Sequence, residues 1–466
     1  MTNPSHVRPH HRAAPLPATG CPVRLEPVRL DSEAVQGSLA DLYEPWREEY
    51  GPVVPVELDG GVPAFLVIGH RTLREVCSQE SLYSPDSRNW ADLQAGRVPD
   101  DWPLLPQVAY QEGSTRFLSG PEHQRLRGVL ASGLTQVEAA SARRYTEWVA
   151  DRLISRFAPK GRTEVVADYA APLPLLVMLR LLGLPHETGE QLLPAIFRLL
   201  EGGPEAHRAN EEISDIIGRL VVARRAKPDR DLISWLIHGP VDGGPALSDL
   251  EVRNLAWLTV MAGAGGTTGW IGNAIERLVC DEQVHTLFLA GKVTVAEIMN
   301  ETHWSNPAVQ NVMGRYPLRE GRLGNYHVPK GALLVLGLAA ANADPEVHVD
   351  DSGHTFTNES HLAFGAGPHE CPTAAQRLAK IVGQTAVERF LARCRTPRLQ
   401  DADAVQHGGS VIVRQLTRLA VTFGADTQAA VRPTASGTDA LGESSRSSHY
   451  LFPPRMLTQL TSHLTD

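Results

Sequence analysis

One cysteine stands where its sulfur could bind a metal. Cys371 closes the run His361-Leu362-Ala363-Phe364-Gly365-Ala366-Gly367-Pro368-His369-Glu370-Cys371-Pro372, a glycine-rich loop that leads into a helical stretch. Backbone N–H groups of such a loop, with the dipole of the following helix, favour a thiolate over a thiol. Glycines let the loop lie flat against a macrocycle. An electron-rich sulfur is the axial ligand that favours O–O cleavage at haem iron. The other cysteines (Cys21, Cys77, Cys280 and Cys394) have no comparable setting. The total of five is odd and no CxxC pair occurs, which speaks against a disulfide framework or a zinc ribbon.

A second segment with chemical potential is Met261-Ala262-Gly263-Ala264-Gly265-Gly266-Thr267-Thr268-Gly269. It sits in the middle of a long helical pattern that opens on a capping box, Ser248-Asp249-Leu250-Glu251, and runs to about Asp281. At 1.5 Å per residue that is about 50 Å, enough to cross a whole domain. Each interior glycine costs about 1 kcal/mol relative to alanine, so the cluster weakens or bends the helix. Either another helix packs closely there, or a flat ligand or small substrate approaches the backbone and its freed carbonyls.

The elements that must position these segments are mostly helical. Pro52–Ile68 is a hairpin signal, with two apolar runs split by Asp59-Gly60-Gly61. Helical patterns dominate from about 70 to 300, broken at Gly183–Pro185, Gly202–Pro204 and Gly239–Pro245. A β-like patch follows at Leu323–Leu338, with a turn at Val328–Ala332. A helix is expected from about Ala375 to Ala392, and Val411–Phe423 alternates like strands. The chain divides into a polar N-terminal arm over 1–25, a catalytic domain over 26–424, and a Ser/Thr/Ala/Gly-rich linker and C-terminal tail over 425–466.

The chain of 466 residues is 42% hydrophobic with a net charge of −9, which allows a large core and argues against non-specific nucleic-acid binding. No run reaches the roughly 18–20 apolar residues of a membrane span, and MTNPSHVRPHHRAAPLPATG lacks an apolar signal core. A cytoplasmic location without membrane attachment is expected.

The Cys371 segment resembles the haem-binding loop of cytochrome P-450 enzymes, Phe-Gly-x-Gly-x-His/Arg-x-Cys, at Phe364, Gly365, Gly367, His369 and Cys371. Three further segments follow the family's order and spacing. Gly120-Pro121-Glu122-His123-Gln124-Arg125-Leu126-Arg127 resembles its C-helix entry, Ala223–Pro228 with Asp231-Leu232 its H-helix region, and Asn342-Ala343-Asp344-Pro345 the motif before its meander. The resemblance spans roughly residues 40–420 and is greatest to soluble actinobacterial members. It implies a mainly α fold with small β sheets, with haem b (iron protoporphyrin IX) between the long central helix and the cysteine loop. It also implies Cys371 as the iron ligand, and His123, Arg127, Arg315 and His361 as partners of the two haem propionates. His369 would contact a propionate or buttress the loop. Dioxygen would be the co-substrate and a small organic metabolite the substrate. Electrons from NAD(P)H would arrive through a ferredoxin reductase and a ferredoxin docking near Arg377 and Lys380. Substrate loops would lie near 85–110 and 170–205. There Asn89-Trp90 and Asp101–Leu105 add bulk over the pocket or belong to the core.

Three departures qualify this. The family's Glu-x-x-Arg reads Glu301-Thr302-His303-Trp304, and tryptophan can neither carry charge nor donate bidentately. The meander around Phe356-Thr357-Asn358-Glu359 also lacks its arginine, so Trp304 would bury apolar area and Glu301 would need another partner or a proton. The central helix lacks the usual Ala-Gly-x-acid-Thr-Thr. In one register Gly265 replaces the acid and Gly266 the alcohol. In the other, Thr267 replaces the acid and Thr268 is the alcohol. Thr267 and Thr268 are the candidates for proton delivery, and Ala264, Gly265 and Gly266 for the oxygen groove. Pro372-Thr373 alters the loop's exit, a local change because proline suits a first helical turn. The resemblance therefore implies a monooxygenase or oxidative tailoring enzyme (hydroxylation, demethylation or oxidative coupling). The alternative is a haem-binding protein with little or no turnover, a sensor, scaffold or degenerate paralogue.

Overall fold

A computed structural model describes residues 26–30, 39–184, 192, 195, 205–241, 244–347, 356–408 and 410–424. The arm over 1–25, the segment over 425–466 and most of 185–204 lie outside the described residues. The architecture is mainly helical with three small sheets.

Six helices frame the interior: α1 (Gly120–Thr135), α2 (Ala139–Phe157), α3 (Pro172–Leu181), α4 (Asp249–Cys280), α5 (Val295–Ser305) and α6 (Thr373–Arg393). Helix α4 starts where the capping box places it. Ser248 Oγ accepts from Glu251 N at 3.3 Å, and Glu251 Oε2 accepts from Ser248 N at 2.7 Å. The glycine cluster does not break it: α4 is helical throughout its 32 residues. Packing explains part of this. A β-carbon at Gly263 would lie 2.7 Å from Met178 Sδ on α3, and one at Gly269 would lie 2.8 Å from Ala308 Cβ. These two glycines let neighbours approach. At Gly265 and Gly266 a β-carbon would meet nothing within 4 Å. The cluster thus serves both purposes open in the sequence, residue by residue.

The largest sheet has β1 (Val28–Leu30), β2 (Val53–Leu58), β3 (Val62–Val67), β4 (Tyr83–Ser84), β5 (Asn311–Pro317) and β6 (Leu334–Gly337), in the order β1-β2-β3-β6-β5-β4. The expected hairpin is β2–β3, with Val53 opposite Val67 and Leu58 opposite Val62. Within the second β-like patch, Gly321–Leu323 pairs with Tyr326–Val328, so the tight turn is at Gly324-Asn325. The Val328–Ala332 turn instead feeds β6, which joins the large sheet between β3 and β5. Trp90 and Trp102 are core: both are buried, with ring centroids 5.6 Å apart, and Trp102 Nε1 donates to Asp59 O at 2.8 Å. No described helix is long and apolar enough to cross a membrane.

Candidate functional site

Between α4 and the cysteine loop lies a cavity of about 410 Å³. Ala262, Gly263, Gly266, Thr267 and Trp270 of α4 line one wall. Phe364, Gly365, His369 and Cys371 line the opposite one. His123 and Arg127 from α1 and Arg315 from β5 close one rim, one helical turn bringing the first two onto the same face. Residues remote in sequence thus converge because α1, β5 and the loop all end at this cavity.

The loop is held by its own backbone. Cys371 N donates to Phe364 O at 2.8 Å, and Gly365 and Gly367 have φ of +78° and +70°. Gly367 does not line the cavity. A β-carbon there would lie 2.5 Å from Cys77 O, so its role is to seat the loop against the helix His70–Ser78. Cys371 is half-buried. Its Sγ donates weakly to Pro372 O at 3.9 Å, and no N–H donates to the sulfur among the described residues. Burial pushes the thiol up to about 11, opposed by Arg127 and reinforced by Glu370. No loop N–H therefore supports a thiolate at Cys371 by a direct hydrogen bond among the described residues.

The rim carries groups that lack partners. Arg315 is 6% exposed, its Nε has no hydrogen-bond partner, and its Nη1 donates only to Gly314 O at 3.0 Å. No carboxylate forms an ion pair with Arg315 or Arg127 among the described residues. His123 and His369 stack at 4.0 Å, and Glu80 Oε1 lies 2.8 Å from His369 Nε2 and 4.0 Å from His123 Nδ1. Burial, then the Arg127 and Arg315 cations, lower His123 to about 4; burial, then Arg315, lower His369 to about 2. A buried and a half-buried guanidinium without ion-pair partners, beside the His123 imidazole, suit two propionates. With a sulfur across the cavity from Gly266, where a β-carbon would meet nothing within 4 Å, the residues fit haem.

Other expected residues fall elsewhere. Ala264, Gly265 and Thr268 do not line the cavity. Gly265 O instead accepts from Gln415 Nε2 at 3.1 Å. Thr267 is 3% exposed, lines the cavity, and its hydroxyl makes no hydrogen bond to a described residue. His361 sits behind the cavity, 4.5 Å from the His303 ring and 5.8 Å from Phe364, with both ring nitrogens unpartnered. His303 itself lines the cavity, stacked on Trp270 at 3.9 Å. No motif singled it out, because its position depends on α4 and α5 packing together.

Helix α5 also answers how this chain manages without the Glu-x-x-Arg arginine. Glu301 is 2% exposed, and Arg277 Nε of α4 lies 2.7 Å from its Oε2. Burial raises Glu301 to about 7 despite Arg277, so the carboxyl holds a proton part of the time at neutral pH. Trp304 Nε1 donates to Asn358 O at 2.7 Å, and Asn300 Nδ2 donates to Phe356 O at 3.1 Å and Asn358 O at 2.8 Å. Neutral donors on α5 thus tie down the meander, where the usual pattern uses arginines.

No protein-family model matches the chain. Cytochrome P-450 107B1 of Saccharopolyspora erythraea is 30% identical over 398 residues, 82% of this chain and 94% of that protein. The chain belongs to the cytochrome P-450 family. The 2-hydroxy-5-methyl-1-naphthoate 7-hydroxylase of Streptomyces carzinostaticus is 29% identical over 79% of this chain and 90% of its own length. Among solved structures, CYP154C4 from Streptomyces sp. ATCC 11861 superposes with a TM-score of 0.75 at 28% identity, covering 86% of this chain and 99% of that one. As a cytochrome P-450 the protein is a haem-iron monooxygenase that uses dioxygen, in the actinobacterial class whose members tailor secondary metabolites.

Proposed function

We propose that residues 26–424 form a haem-thiolate catalytic domain that binds haem b through Cys371 and oxidises a small, largely apolar metabolite. The observation that carries this is the convergence on one cavity of Cys371, Arg127 and Arg315 without ion-pair partners, and the open-faced Gly266. Bound haem supplies reductive activation of dioxygen. Cys371 Sγ would ligate the iron. Arg127 and Arg315 would neutralise the propionates and His123 would donate an N–H, while His369, bonded to the Leu118 backbone and 2.8 Å from Glu80, would buttress the loop. Phe364 and Gly365 would support the ring from the sulfur side, and Gly266 would leave room on the other. The lining of Ala262, Gly263 and Gly266 favours the register in which Gly265 and Gly266 replace the acid and the alcohol. Thr267 Oγ1 is then the hydroxyl on α4 best placed to hold or pass a proton, without a carboxylate behind it.

Electrons from NAD(P)H would come through a ferredoxin reductase and a ferredoxin, in the cytoplasm. On the expected docking face Arg377 is exposed, while Lys380 pairs with Glu359 at 3.1 Å. An aromatic or aliphatic metabolite as substrate agrees with the apolar walls and with a relative that hydroxylates a naphthoate. The test is spectroscopic. The reduced CO complex should show the red-shifted Soret band of a thiolate ligand, and Cys371→Ala should abolish it. Full haem loading without that band refutes the assignment. Thiolate ligation without product, from either a surrogate ferredoxin system or peroxide across a compound panel, would favour the non-catalytic reading.

A further inference from the structure

The cavity carries a third arginine besides the two assigned to the propionates. Three arginines line it: Arg116, Arg127 and Arg315. None forms an ion pair with a carboxylate among the described residues. Haem brings two propionates. Arg127 and Arg315 are the cations that lower both His123 and His369, so they share one cluster with those rings; Arg116 is not among the charges acting on either ring. Its electrostatic neighbours are Tyr316 and Arg315.

Arg116 is also the best prepared of the three to meet a ligand. It lies in the turn Thr115–Phe117, between the short helix Leu105–Val108 and α1. Thr115 and Phe117 on either side are buried, which fixes the backbone. One of its N–H groups, on Nη2, donates to Gln107 O at 2.6 Å, and its guanidinium carbon lies 5.3 Å from the Phe117 ring centroid. The remaining donors have no protein acceptor. Arg116 is exposed, and it also lines the cavity. Around it the walls are apolar, with Val108, Leu130, Met178, Val309 and Val312. Burial lowers its pKa, Tyr316 offsets this in part and Arg315 adds to it. An arginine stays charged at neutral pH, so this wall of the cavity carries a cation with free N–H donors that an anion can meet.

We propose that Arg116 is a specificity-determining residue that binds the carboxylate of an otherwise apolar substrate. The planar guanidinium offers two parallel N–H donors to a carboxylate, and one positive charge matches a monoanion. The apolar walls then take the hydrocarbon body and leave it on the side of the cavity facing Cys371, so this inference rests on the haem-thiolate reading above.

The test uses full-length, haem-loaded protein and two matched pairs of probes: dodecanoate with methyl dodecanoate, and 1-naphthoate with methyl 1-naphthoate. Binding is read twice, by the substrate-induced Soret shift and by equilibrium dialysis, which does not depend on the iron's spectrum. Wild type should bind at least one acid about tenfold or more tighter than its ester, the scale of one charged hydrogen-bonded contact. Arg116→Leu should bring acid and ester to within about threefold by weakening the acid, at unchanged haem content, and Arg116→Lys should keep part of the preference. Equal binding of acid and ester by wild type, a preference that persists in Arg116→Leu, or no binding of either acid overturns the proposal. Loss of haem from Arg116→Leu overturns it too, by making Arg116 a propionate partner. Failure of the haem-thiolate reading is distinct: it appears as a missing red-shifted CO band in wild type, while dialysis still reports the acid preference.

Discussion

Removing Arg277 should change how stability depends on pH, more than how large stability is. Glu301 has an ordinary value of 4.5 and is raised to about 7 in the folded protein. Between those values the folded state holds a proton that the unfolded chain has released. Stability therefore falls as pH rises, by about 1.4 kcal/mol per unit, or about 3 kcal/mol in all, and levels off above about pH 7. Arg277 sets where that levelling begins, because its guanidinium, 2.7 Å away, is the charge that favours the ionised form. In Arg277→Met the carboxyl keeps only its burial, its value moves up, and stability continues to fall past pH 7. By pH 9 the variant should have lost more stability than wild type has over pH 7–9, by about 1.4 kcal/mol for each pH unit that the levelling moves up. Screening trims this, since Arg277 is 20% exposed at its side chain. The substitution also removes contacts to Ser305 at 3.2 Å and Asp281 at 3.5 Å, which add a pH-independent offset. The slope isolates Glu301. The assay is urea unfolding of the haem-loaded protein followed by tryptophan fluorescence from pH 6 to 9, with the same substitution in a Glu301→Gln background as control. Parallel curves for wild type and Arg277→Met would refute the pairing. So would an identical slope change in the Glu301→Gln background.

Trp304→Phe keeps the ring but removes the N–H that Asn358 O accepts; it should cost about 1–3 kcal/mol in the same unfolding assay, with Asn300 still holding the meander. Trp304→Arg should be neutral or harmful, because Glu301 already has Arg277; a large gain in melting temperature would mean the site still expects an arginine there. Thr267→Val should lower product formed per NAD(P)H consumed by roughly tenfold or more, the scale of losing a general acid–base group. Thr268→Val, off the cavity, should leave that ratio near wild type, and the reverse ranking would favour the other register.

The features legible in the sequence were those whose cause is local. The Ser248–Glu251 box closes within one turn, so its residues alone specify where α4 begins. The β2–β3 hairpin likewise follows from two apolar runs around Asp59-Gly60-Gly61. The cysteine loop is a contiguous run whose backbone folds on itself, which is why Cys371, Phe364 and His369 could be placed on the site before any tertiary contact was known.

What only the tertiary structure decided has a partner far along the chain. Which glycines of α4 serve packing and which leave room depends on Met178, Ala308 and Gln415, and no periodicity within the helix distinguishes them. The absence of an arginine at Trp304 was plain, but its replacement came from another helix, at Arg277, and from backbone carbonyls at Phe356 and Asn358. His361, expected at a propionate from the family resemblance, lies off the cavity against Phe364 and His303, whereas His303 lines the cavity, stacked on Trp270. Arg116 carried no sequence signal at all. Its meaning comes from having no carboxylate among the described residues around it, and only the packing of distant segments determines which charges meet.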